Sequence, residues 1–333
     1  MWEKEDSPVN VFLGIDVGSV STNFVLINEN QEVEYSSYIR TQGRPVEALQ
    51  NGLYKMISSL PKGMKIKGAG ATGSGRQLAG LIVGADVVKN EITAHAVAAV
   101  NQIYNVHTVI EIGGQDSKII IIDQGVVSDF AMNTVCAAGT GSFLDQQAAR
   151  LGLSIEKFST LALEAKNPVR IAGRCSVFAE SDMIHKQQLG HSLPDIVAGL
   201  CEALTRNYLN NVGKGKDIKG PIIFQGGVAA NPGIKIAFQN ALGEEVIVPK
   251  YFDVMGALGA AILAQETVTE KGKSNFKGLN LINTKFTTAS FECKGCPNIC
   301  EVIELYEDGS LKARWGDKCN KWTDAVNLIE NIS

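Results

Sequence analysis

The sequence predicts an α/β protein made of two similar domains and a small cysteine-rich appendage. Three observations carry this prediction. A strand, a glycine turn and two further strands open the chain, the same pattern returns near residue 108, and four cysteines fall in the last 48 residues. Each copy of the strand pattern is followed by segments with helical periodicity, which indicates an internal duplication.

The composition excludes several classes of protein. The 333 residues are 45% hydrophobic and 20% charged, which is typical of a globular chain with room for two cores. The net charge is −4 and no Lys/Arg block is interleaved with aromatic residues, so we expect no nucleic-acid partner. The amino terminus lacks the basic and apolar regions of a signal peptide, and later apolar runs are short, so we expect a cytoplasmic protein without membrane association.

The first half of the chain carries both copies of the strand pattern. VFLGIDVGSVSTNFVLIN and EVEYSSYIR predict a three-stranded meander, followed by a helix at 45–59, a strand and glycine-rich loop at 65–76, and a helix at 90–104. We place the first domain at 10–105. The second meander, TVIEIGGQDSKIIIIDQGVVSDFAMN, opens a second domain at 106–252.

The second half is predicted to be mainly helical. Helical segments run from 142 to 150, through Leu161, and over 178–185 and 194–212, before a strand, a Gly-Gly turn and a helix from near Asn231. The helix at 253–267 is so rich in Gly and Ala that it must pack closely against another backbone, and it completes the first domain. We predict a linker at 268–285 and the appendage at 286–333.

Four glycine turns fall in order along the two domains: Asp16–Thr22, Gly113–Asp116, Gly139–Gly141 and Gly226-Gly227. Such a turn exposes backbone N–H groups that can bind phosphate oxygens, and a nearby carboxylate such as that of Asp16 can hold Mg²⁺ through water. Each turn by itself is more often a plain hairpin turn. Their order and spacing favour a nucleotide site.

In this order the turns resemble those of the actin-like ATPase superfamily, which includes sugar and acetate kinases and heat-shock ATPases. DVGSVST resembles the first phosphate loop, EIGGQDSK the second, FQGGVAANPG the adenosine segment, and GATGSGR and DVMGALGAA the two interdomain connectors. The resemblance covers about residues 10 to 267. It implies an actin-like (ribonuclease H-like) fold with ATP or ADP in the cleft between two domains that close and open.

This frame assigns roles to the residues of the turns. We expect Asp16 to hold Mg²⁺ through water, and Gln115 and Asp116 to orient the attacking water or the metal, with the split between these two left open. The residues predicted to contact phosphate or nucleoside are Gly18, Ser19, Ser21, Thr22, Gly113, Gly114, Gly139, Thr140, Gly141, Gly226, Gly227 and Asn231.

Cys136 and Cys175 each precede a predicted helix. One helix begins near Ser142, and Ser176 is predicted to cap another that begins at Val177. The partial positive charge of a helix amino terminus favours the thiolate. Each cysteine is then either a small buried hydrophobe or one of four thiolates that a twofold dimer brings to one iron–sulfur cluster.

The segments around these cysteines carry a closer resemblance. NTVCAAGTGSFLDQQAARLG and CSVFAESDMI closely resemble the activator ATPases of 2-hydroxyacyl-CoA dehydratases and the ATPase subunits of benzoyl-CoA reductases. The resemblance implies that Cys136 and Cys175 bind one [4Fe–4S] cluster shared across a homodimer. It implies an electron from ferredoxin or flavodoxin and its ATP-driven injection, at low potential, into a partner iron–sulfur protein such as a dehydratase.

The appendage departs from the shorter activators. Its cysteines are spaced C-x2-C-x3-C-x18-C, which predicts a metal centre formed by Cys293, Cys296, Cys300 and Cys319. This spacing does not choose between zinc and a second iron–sulfur cluster. Similar tails occur in relatives that serve double-cubane-cluster proteins, which makes such a protein an alternative partner.

Two other functions are open to the same fold. A small-molecule kinase needs a carboxylate base, and the candidates Asp16 and Asp116 are already assigned to metal and phosphate. A chaperone-like ATPase needs a substrate-binding domain, for which the roughly 65 residues after residue 268 are too few. Neither function gives the paired cysteines a role.

Overall fold

The computed structural model describes residues 9–60 and 63–323. The described chain divides into two compact units, one containing residues up to Glu91 and from Gly256 onward, the other containing Ile92–Met255. The prediction that the amino terminus is not a signal peptide rests partly on residues 1–8. The last ten residues of the predicted appendage are 324–333. Both segments lie outside the described residues.

The first unit is built on a five-stranded sheet with the strand order β3-β2-β1-β4-β5. Strand β1 pairs antiparallel with β2 and parallel with β4. The meander is therefore followed by a crossover in which helix α1 connects β3 to β4. The elements up to the unit boundary are β1 Asn10–Val17, β2 Ser21–Asn28, β3 Val33–Arg40, α1 Pro45–Ser59, β4 Lys65–Thr72, α2 Arg76–Val83 and β5 Val87–Val88.

The second unit repeats this arrangement. Its sheet has the order β10-β9-β6-β7-β8, in which β6 pairs antiparallel with β7 and parallel with β9, as β1 does with β2 and β4. The predicted duplication is confirmed. The elements are α3 Glu91–Gln102, β6 Thr108–Ile112, β7 Ser117–Asp123, β8 Val126–Asn133, α4 Gly141–Arg150, α5 Ile155–Leu161, α6 Ser176–Gln188, α7 Leu193–Asn211, β9 Ile222–Gln225, α8 Pro232–Leu242 and β10 Val246–Ile247.

Helix α9, Met255–Lys271, lies directly against the sheet of the first unit. A β-carbon on Gly14 would fall 1.8 Å from the carbonyl oxygen of Ala257, and one on Gly70 would fall 2.1 Å from that of Ala260. Side chains at these two strand positions would push the helix away from the sheet. The predicted close packing of this Gly- and Ala-rich helix is therefore present in the structure.

The segment predicted as a linker is fastened to the first unit. Helix α9 continues to Lys271, and beyond it the backbone N–H of Asn275 donates to Asp86 Oδ1 at 2.6 Å and that of Lys277 donates to the Val83 carbonyl at 3.0 Å. Further along, the side chain of Gln50 on α1 donates to the Leu281 carbonyl at 2.9 Å. The composition of this segment is that of a linker, but its hydrogen bonds hold it against the surface of the first unit.

The described part of the appendage is a three-stranded antiparallel sheet formed by β11 Phe286–Glu292, β12 Glu301–Glu307 and β13 Ser310–Trp315. Its buried residues Phe286 and Leu305 belong to the same hydrophobic core as Leu49 and Leu53 of α1. The appendage is thus joined to the core of the first unit. No helix among the described residues is both long and apolar enough to cross a membrane.

Candidate functional site

The first glycine turn connects β1 to β2. The N–H of Gly18 donates to the Ser21 carbonyl at 2.8 Å, and Thr41 Oγ1 donates to the Gly18 carbonyl at 2.9 Å. The Thr22 hydroxyl is buried and lies 3.0 Å from the Thr41 hydroxyl, whereas Ser19 is exposed at the tip. Thr22 therefore braces the turn from inside, and Ser19 and the half-buried Ser21 face outward.

Asp16 stands at the carboxyl end of β1, half-buried, beside the loop that follows β4. A β-carbon on Gly73 of that loop would fall 2.4 Å from Asp16 Oδ1 and 2.4 Å from the Val17 carbonyl oxygen. Gly73 also has a φ of +92°, a conformation that glycine adopts without strain. The loop can approach the carboxylate only because residue 73 has no side chain. A half-buried carboxylate here has the oxygen ligands that Mg²⁺ prefers.

The second glycine turn connects β6 to β7 and rests on a buried ion cluster. Lys118, 2% exposed, has its Nζ 2.8 Å from Asp116 Oδ2 and 3.0 Å from Glu111 Oε2. The Gly113 N–H donates to the Asp116 carbonyl at 3.0 Å and closes the turn. Gln115, at the tip, is exposed. The Asp116 carboxylate is thus engaged below the turn, and the Gln115 amide faces solvent.

The Gly226-Gly227 turn lies over the same cluster. Gly226 has a φ of +87°, and a β-carbon there would fall 2.4 Å from the Ile112 carbonyl oxygen and 2.7 Å from Glu111 Oε1. A β-carbon on Gly113 would lie 3.4 Å from the same Glu111 oxygen. The Glu111 carboxylate therefore lies beneath two of the predicted nucleotide turns. Asn231, downstream, caps α8 by accepting from the N–H of Gly233 at 2.9 Å.

The Gly139–Gly141 segment connects the second turn to the first cysteine. The N–H groups of Gly141 and Ser142, at the start of α4, donate to the carbonyls of Gly113 and Gly114 at 2.9 and 2.8 Å. The buried Thr140 caps the preceding turn through a 2.8 Å hydrogen bond from its hydroxyl to the Ala137 carbonyl. The structure therefore brings together the predicted residues of these two turns through backbone hydrogen bonds.

The two cysteines occupy corresponding positions. Cys136 caps a 3₁₀ turn over Ala137–Gly139, which separates it from α4, and Cys175 is the N-cap residue of α6. Ser176 was expected to cap that helix, but it is the first helical residue. Neither cap has a side-chain hydrogen bond, so the first N–H groups of α6 are left for an anion near the Cys175 thiol. Both thiols are half-buried.

Exposed apolar side chains adjoin both cysteines along the chain. Val135 is 94% exposed, and Val177 and Phe178, in the first turn of α6, are each 66% exposed. Clusters of large exposed apolar side chains are typical of interaction surfaces. Cys201 differs, because it is 1% exposed inside the core and its burial raises the pKa of its thiol to about 12. It belongs to the core, as predicted.

The appendage places three of its cysteines in one hairpin loop. Cys293, Cys296 and Cys300 lie between β11 and β12, where the Cys293 N–H donates to the Cys300 carbonyl at 2.8 Å, and Cys319 follows β13. Nearby hydrogen-bond donors, among them the Gly295 N–H, hold the pKa of the Cys293 thiol below its usual value. In residues 9–60 and 63–323, no three His, Cys, Asp or Glu side chains are arranged to hold a metal ion, so this site stays a prediction.

Sequence reasoning missed three residues that organise the site. Lys118 is a single charged residue at the start of an isoleucine run. A lysine in a buried strand is almost always paired with an acid, so the sequence did contain a signal for a buried ion pair. Asn133 opens the quoted cysteine segment, and its side chain accepts from the Cys136 N–H at 2.9 Å and donates to the Cys136 carbonyl at 2.8 Å. The third residue, Asn207, is distant in sequence from the glycine turns and from both cysteines, and no local sequence pattern identifies it.

Comparison with known proteins gives consistent matches. Residues 13–264 match the model of the BadF/BadG/BcrA/BcrD ATPase family. The (R)-2-hydroxyglutaryl-CoA dehydratase activating ATPase of Acidaminococcus fermentans is 35% identical over 261 residues, which are 76% of this chain and 96% of that relative. The family match ends ahead of β11.

Two solved structures are similar in both fold and sequence. Component A of the (R)-2-hydroxyglutaryl-CoA dehydratase of Acidaminococcus fermentans has a TM-score of 0.71 at 33% identity, covering 78% of this chain and 99% of that chain. The activator of the 2-hydroxyisocaproyl-CoA dehydratase from Clostridium difficile, solved with bound ADPNP, has a TM-score of 0.70 at 32% identity, covering 79% of this chain and 97% of that chain.

Proposed function

Because this chain belongs to the BadF/BadG/BcrA/BcrD ATPase family, we propose that it couples ATP hydrolysis to the transfer of one low-potential electron into a partner iron–sulfur protein. One observation carries the proposal. The backbone of the second glycine turn is hydrogen-bonded to the start of α4, five residues after Cys136. A nucleotide-dependent movement of that turn would therefore reach the loop that holds a candidate cluster ligand.

The nucleotide side of the proposal uses the glycine turns. Asp16 holds Mg²⁺ through water, the N–H groups of the first two turns bind phosphate together with Ser19 and Ser21, and the Gly226-Gly227 turn and Asn231 line the nucleoside. Gln115 orients the attacking water, because the Asp116 carboxylate is engaged with Lys118. The ADPNP bound to the Clostridium difficile relative supports a nucleotide site in this family.

The cluster side of the proposal uses Cys136 and Cys175. Two thiols from one chain and two from a second copy complete the four ligands of a [4Fe–4S] cluster, which supplies one-electron redox chemistry when bound. The residues fit this group in three ways: both thiols are half-buried, the helix start at Cys175 is uncapped, and apolar side chains flank both. The apolar surface of Val135, Val177 and Phe178 would be covered by the second copy.

The energy requirement is within reach of nucleotide binding. Lowering the potential of one electron by roughly 200 to 300 mV requires about 5 to 7 kcal/mol, at roughly 1.4 kcal/mol per 59 mV. A ligand that prefers one conformation by about 10⁴-fold supplies about 5.5 kcal/mol. One conformation of the protein docks to the partner. ATP therefore needs only to bind this conformation much more tightly than it binds the undocked conformation.

Partners follow from the relatives. The named relatives activate 2-hydroxyacyl-CoA dehydratases, so we propose an iron–sulfur enzyme of that kind or a double-cubane-cluster protein as electron acceptor, and ferredoxin or flavodoxin as donor. The four appendage cysteines would bind zinc or a second iron–sulfur cluster. A small-molecule kinase fits less well, because it gives Cys136 and Cys175 no role.

The test uses the full chain purified without oxygen, reduced chemically, and supplied with ADP or ATP and Mg²⁺. We expect the electron paramagnetic resonance signal of a reduced iron–sulfur cluster, and we expect its shape or its midpoint potential to change when ATP replaces ADP. Both variants are made in the Cys293→Ala/Cys296→Ala background, so that the appendage contributes no iron–sulfur signal. There, Cys136→Ala should abolish the signal, whereas the matched control Cys201→Ala, which removes a buried core thiol, should keep it. A signal that persists in Cys136→Ala in this background, or that does not change with the nucleotide, would overturn the proposal.

A further inference from the structure

We propose that Asn207 is a positioning residue that fixes the Cys136 loop and the Cys175 loop relative to each other. This inference rests on the proposed function, since it concerns the same pair of thiols. Asn207 lies on α7 and is 2% exposed. Its side chain forms hydrogen bonds with backbone carbonyls and with Asn211, not with either thiol. It acts on the backbone that carries each cysteine.

On one side, Asn207 holds the approach to Cys175. Its Nδ2 donates to the Gly173 carbonyl at 2.6 Å and lies 3.5 Å from the Arg174 carbonyl oxygen, in the two residues immediately before the cysteine. Gly173 itself is pressed against α7, because a β-carbon there would fall 2.7 Å from the Ala203 carbonyl oxygen. The chain that enters α6 is thus fixed to the carboxyl-terminal half of α7 by Asn207 and by Arg206 Nη2, which donates to the Ile171 carbonyl at 2.8 Å.

On the other side, Asn207 supports the turn after Cys136. A β-carbon on Gly139 would fall 2.9 Å from Asn207 Oδ1 and 3.4 Å from Asn133 Nδ2, so the turn lies directly on these two amides. Asn133 forms two hydrogen bonds with the backbone of Cys136, one to its N–H and one to its carbonyl. Asn133 and Asn207 therefore meet beneath Gly139, one fixing the first cysteine and the other the approach to the second.

The chemistry requires an amide at position 207. The side chain must donate to Gly173 and, at the same time, present an oxygen that accepts from Asn211 Nδ2 at 3.0 Å. An apolar side chain of similar volume can fill the space but leaves the Gly173 carbonyl without its buried donor. Helix α7 spans 19 residues and is buried along much of its length, which makes it a rigid base for both loops.

The same geometry explains why residue 139 is glycine. The sequence pattern assigned Gly139 to the nucleotide, but its α-carbon faces Asn207 and Asn133. A side chain at this position would displace one amide or the other. Gly139 therefore belongs to the support of the cysteine loops, whereas Gly141, two residues on, contacts the second glycine turn.

The experiment compares Asn207→Leu with Asn210→Leu, the same change at an exposed position of the same helix. Both proteins are reconstituted with iron and sulfide, and iron release to a chelator is followed by absorbance. Partners that orient metal ligands typically change metal affinity by about 10- to 100-fold, so we expect Asn207→Leu to release iron at least about tenfold faster than wild type. The control should release iron at the wild-type rate.

A second readout does not need the cluster. In iron-free protein, we expect Asn207→Leu to raise the rate of alkylation at Cys175 by about fivefold, because the loop before it loses the anchor nearest to the cysteine, while Asn210→Leu leaves the rate unchanged. Mass spectrometry of the alkylated peptides gives the rate at each thiol. Circular dichroism and thermal unfolding show whether each variant is folded. Asn207→Ser, which is smaller and polar, replaces the leucine variant if that protein does not fold.

The outcomes separate this inference from the proposed function. If wild type holds iron but Asn207→Leu or Asn207→Ser releases iron and is alkylated at the wild-type rates, the positioning role is wrong and the proposed function stands. If wild type binds no iron, the proposed function fails. Unchanged alkylation in the iron-free variants would then overturn the positioning role as well.

Discussion

The N–H of Ser142 donates to the Gly114 carbonyl at 2.8 Å, so the first turn of α4 rests on a glycine turn of the candidate nucleotide site. The neighbouring hydrogen bond, from Gly141 to the Gly113 carbonyl at 2.9 Å, makes this a two-point attachment. Cys136 lies just before α4 along the chain. A shift of the glycine turn therefore has a direct covalent and hydrogen-bonded route to the Cys136 loop within one compact unit.

Removal of the Lys118 ammonium should strongly destabilise the second unit. In Lys118→Met, the carboxylates of Glu111 and Asp116 lose the positive charge that they share. Removing one partner of a buried ion pair costs about 3 to 5 kcal/mol of stability. Urea unfolding followed by circular dichroism measures the loss. Lys219→Met, which removes the exposed partner of Asp217, is the control and should leave the free energy of unfolding unchanged. Equal effects would contradict the buried cluster.

Two adjacent glycines should respond differently to alanine. Gly226→Ala should lower the free energy of unfolding by at least about 2 kcal/mol, because φ is +87° and the new β-carbon would fall 2.4 Å from a carbonyl oxygen. Gly227→Ala should have little effect on stability, since its β-carbon would meet nothing within 4 Å. Thermal unfolding of the two variants provides the comparison. A stable Gly226→Ala protein would mean that the turn adopts another conformation.

The apolar surface beside Cys175 should be needed for self-association. Val177→Glu places a carboxylate in the first turn of α6, where the helix dipole tolerates it, so the helix should remain folded while the apolar contact is lost. We expect light scattering to show a dimer for wild type and a monomer for this variant. Val126→Glu, at an equally exposed valine on β8, should remain dimeric. Dimers of Val177→Glu would exclude this surface from the interface.

Cys201 should make stability depend on alkaline pH. Burial raises the pKa of this thiol from 9.0 to about 12, so the folded state keeps a proton that the unfolded state releases above about pH 9. The free energy of unfolding is therefore unaffected by this thiol below pH 9, and it falls as the pH rises from 9 toward 12. Between these values, wild type should lose stability relative to Cys201→Ala, as measured by urea unfolding at each pH. Parallel curves for the two proteins would show that the thiol titrates normally.

The same burial should protect Cys201 from alkylation. In reduced protein stripped of metal by a chelator, iodoacetamide at pH 8 should modify Cys296 and Cys319, which are exposed, and leave Cys201 unmodified until the protein unfolds. Peptide mass spectrometry with and without urea measures the difference. Modification of Cys201 in the folded protein would place it outside the core.

The appendage should contribute to the stability of the first unit. Leu305→Ala removes a 2% exposed side chain from a core shared with α1, which costs about 2 to 5 kcal/mol. Leu189→Ala, at a leucine that is 59% exposed, should change stability by less than about 0.5 kcal/mol. Thermal unfolding distinguishes the two. An independent appendage would instead leave the main unfolding transition unchanged in Leu305→Ala.

Much of the fold could be predicted because its signals are local. Helix α1 was predicted at 45–59 and spans Pro45–Ser59, since its apolar spacing and its Pro at the amino end mark it without tertiary information. Helix α2 was missed, because it follows a glycine-rich loop without a break in composition. The sheet of the appendage was also missed, because its strands are exposed on one face and their pairing depends on the core of the first unit.

The candidate site was predictable at the level of turns but not of individual side chains. The sequence placed the glycine turns but could not show that Gly139 lies against the amides of Asn207 and Asn133, and its assignment to the nucleotide stays a prediction. The assignment of Thr22 to phosphate stays a prediction, and the sequence did not show that its hydroxyl lies 3.0 Å from that of Thr41. Asn207 and Gly173 are 34 residues apart, and only the packing of α7 against the loop brings them together.

The central claim is that Cys136 and Cys175 hold an iron–sulfur cluster shared by two chains. Its most direct test is the iron, sulfide and zinc content of protein purified without oxygen, compared among wild type, Cys136→Ala and the appendage variant Cys293→Ala/Cys296→Ala. One shared [4Fe–4S] cluster gives about two irons per chain, or about six if the appendage holds a second cluster. We predict that Cys136→Ala loses about two irons per chain while the appendage variant keeps them. Wild-type protein without iron would contradict the account.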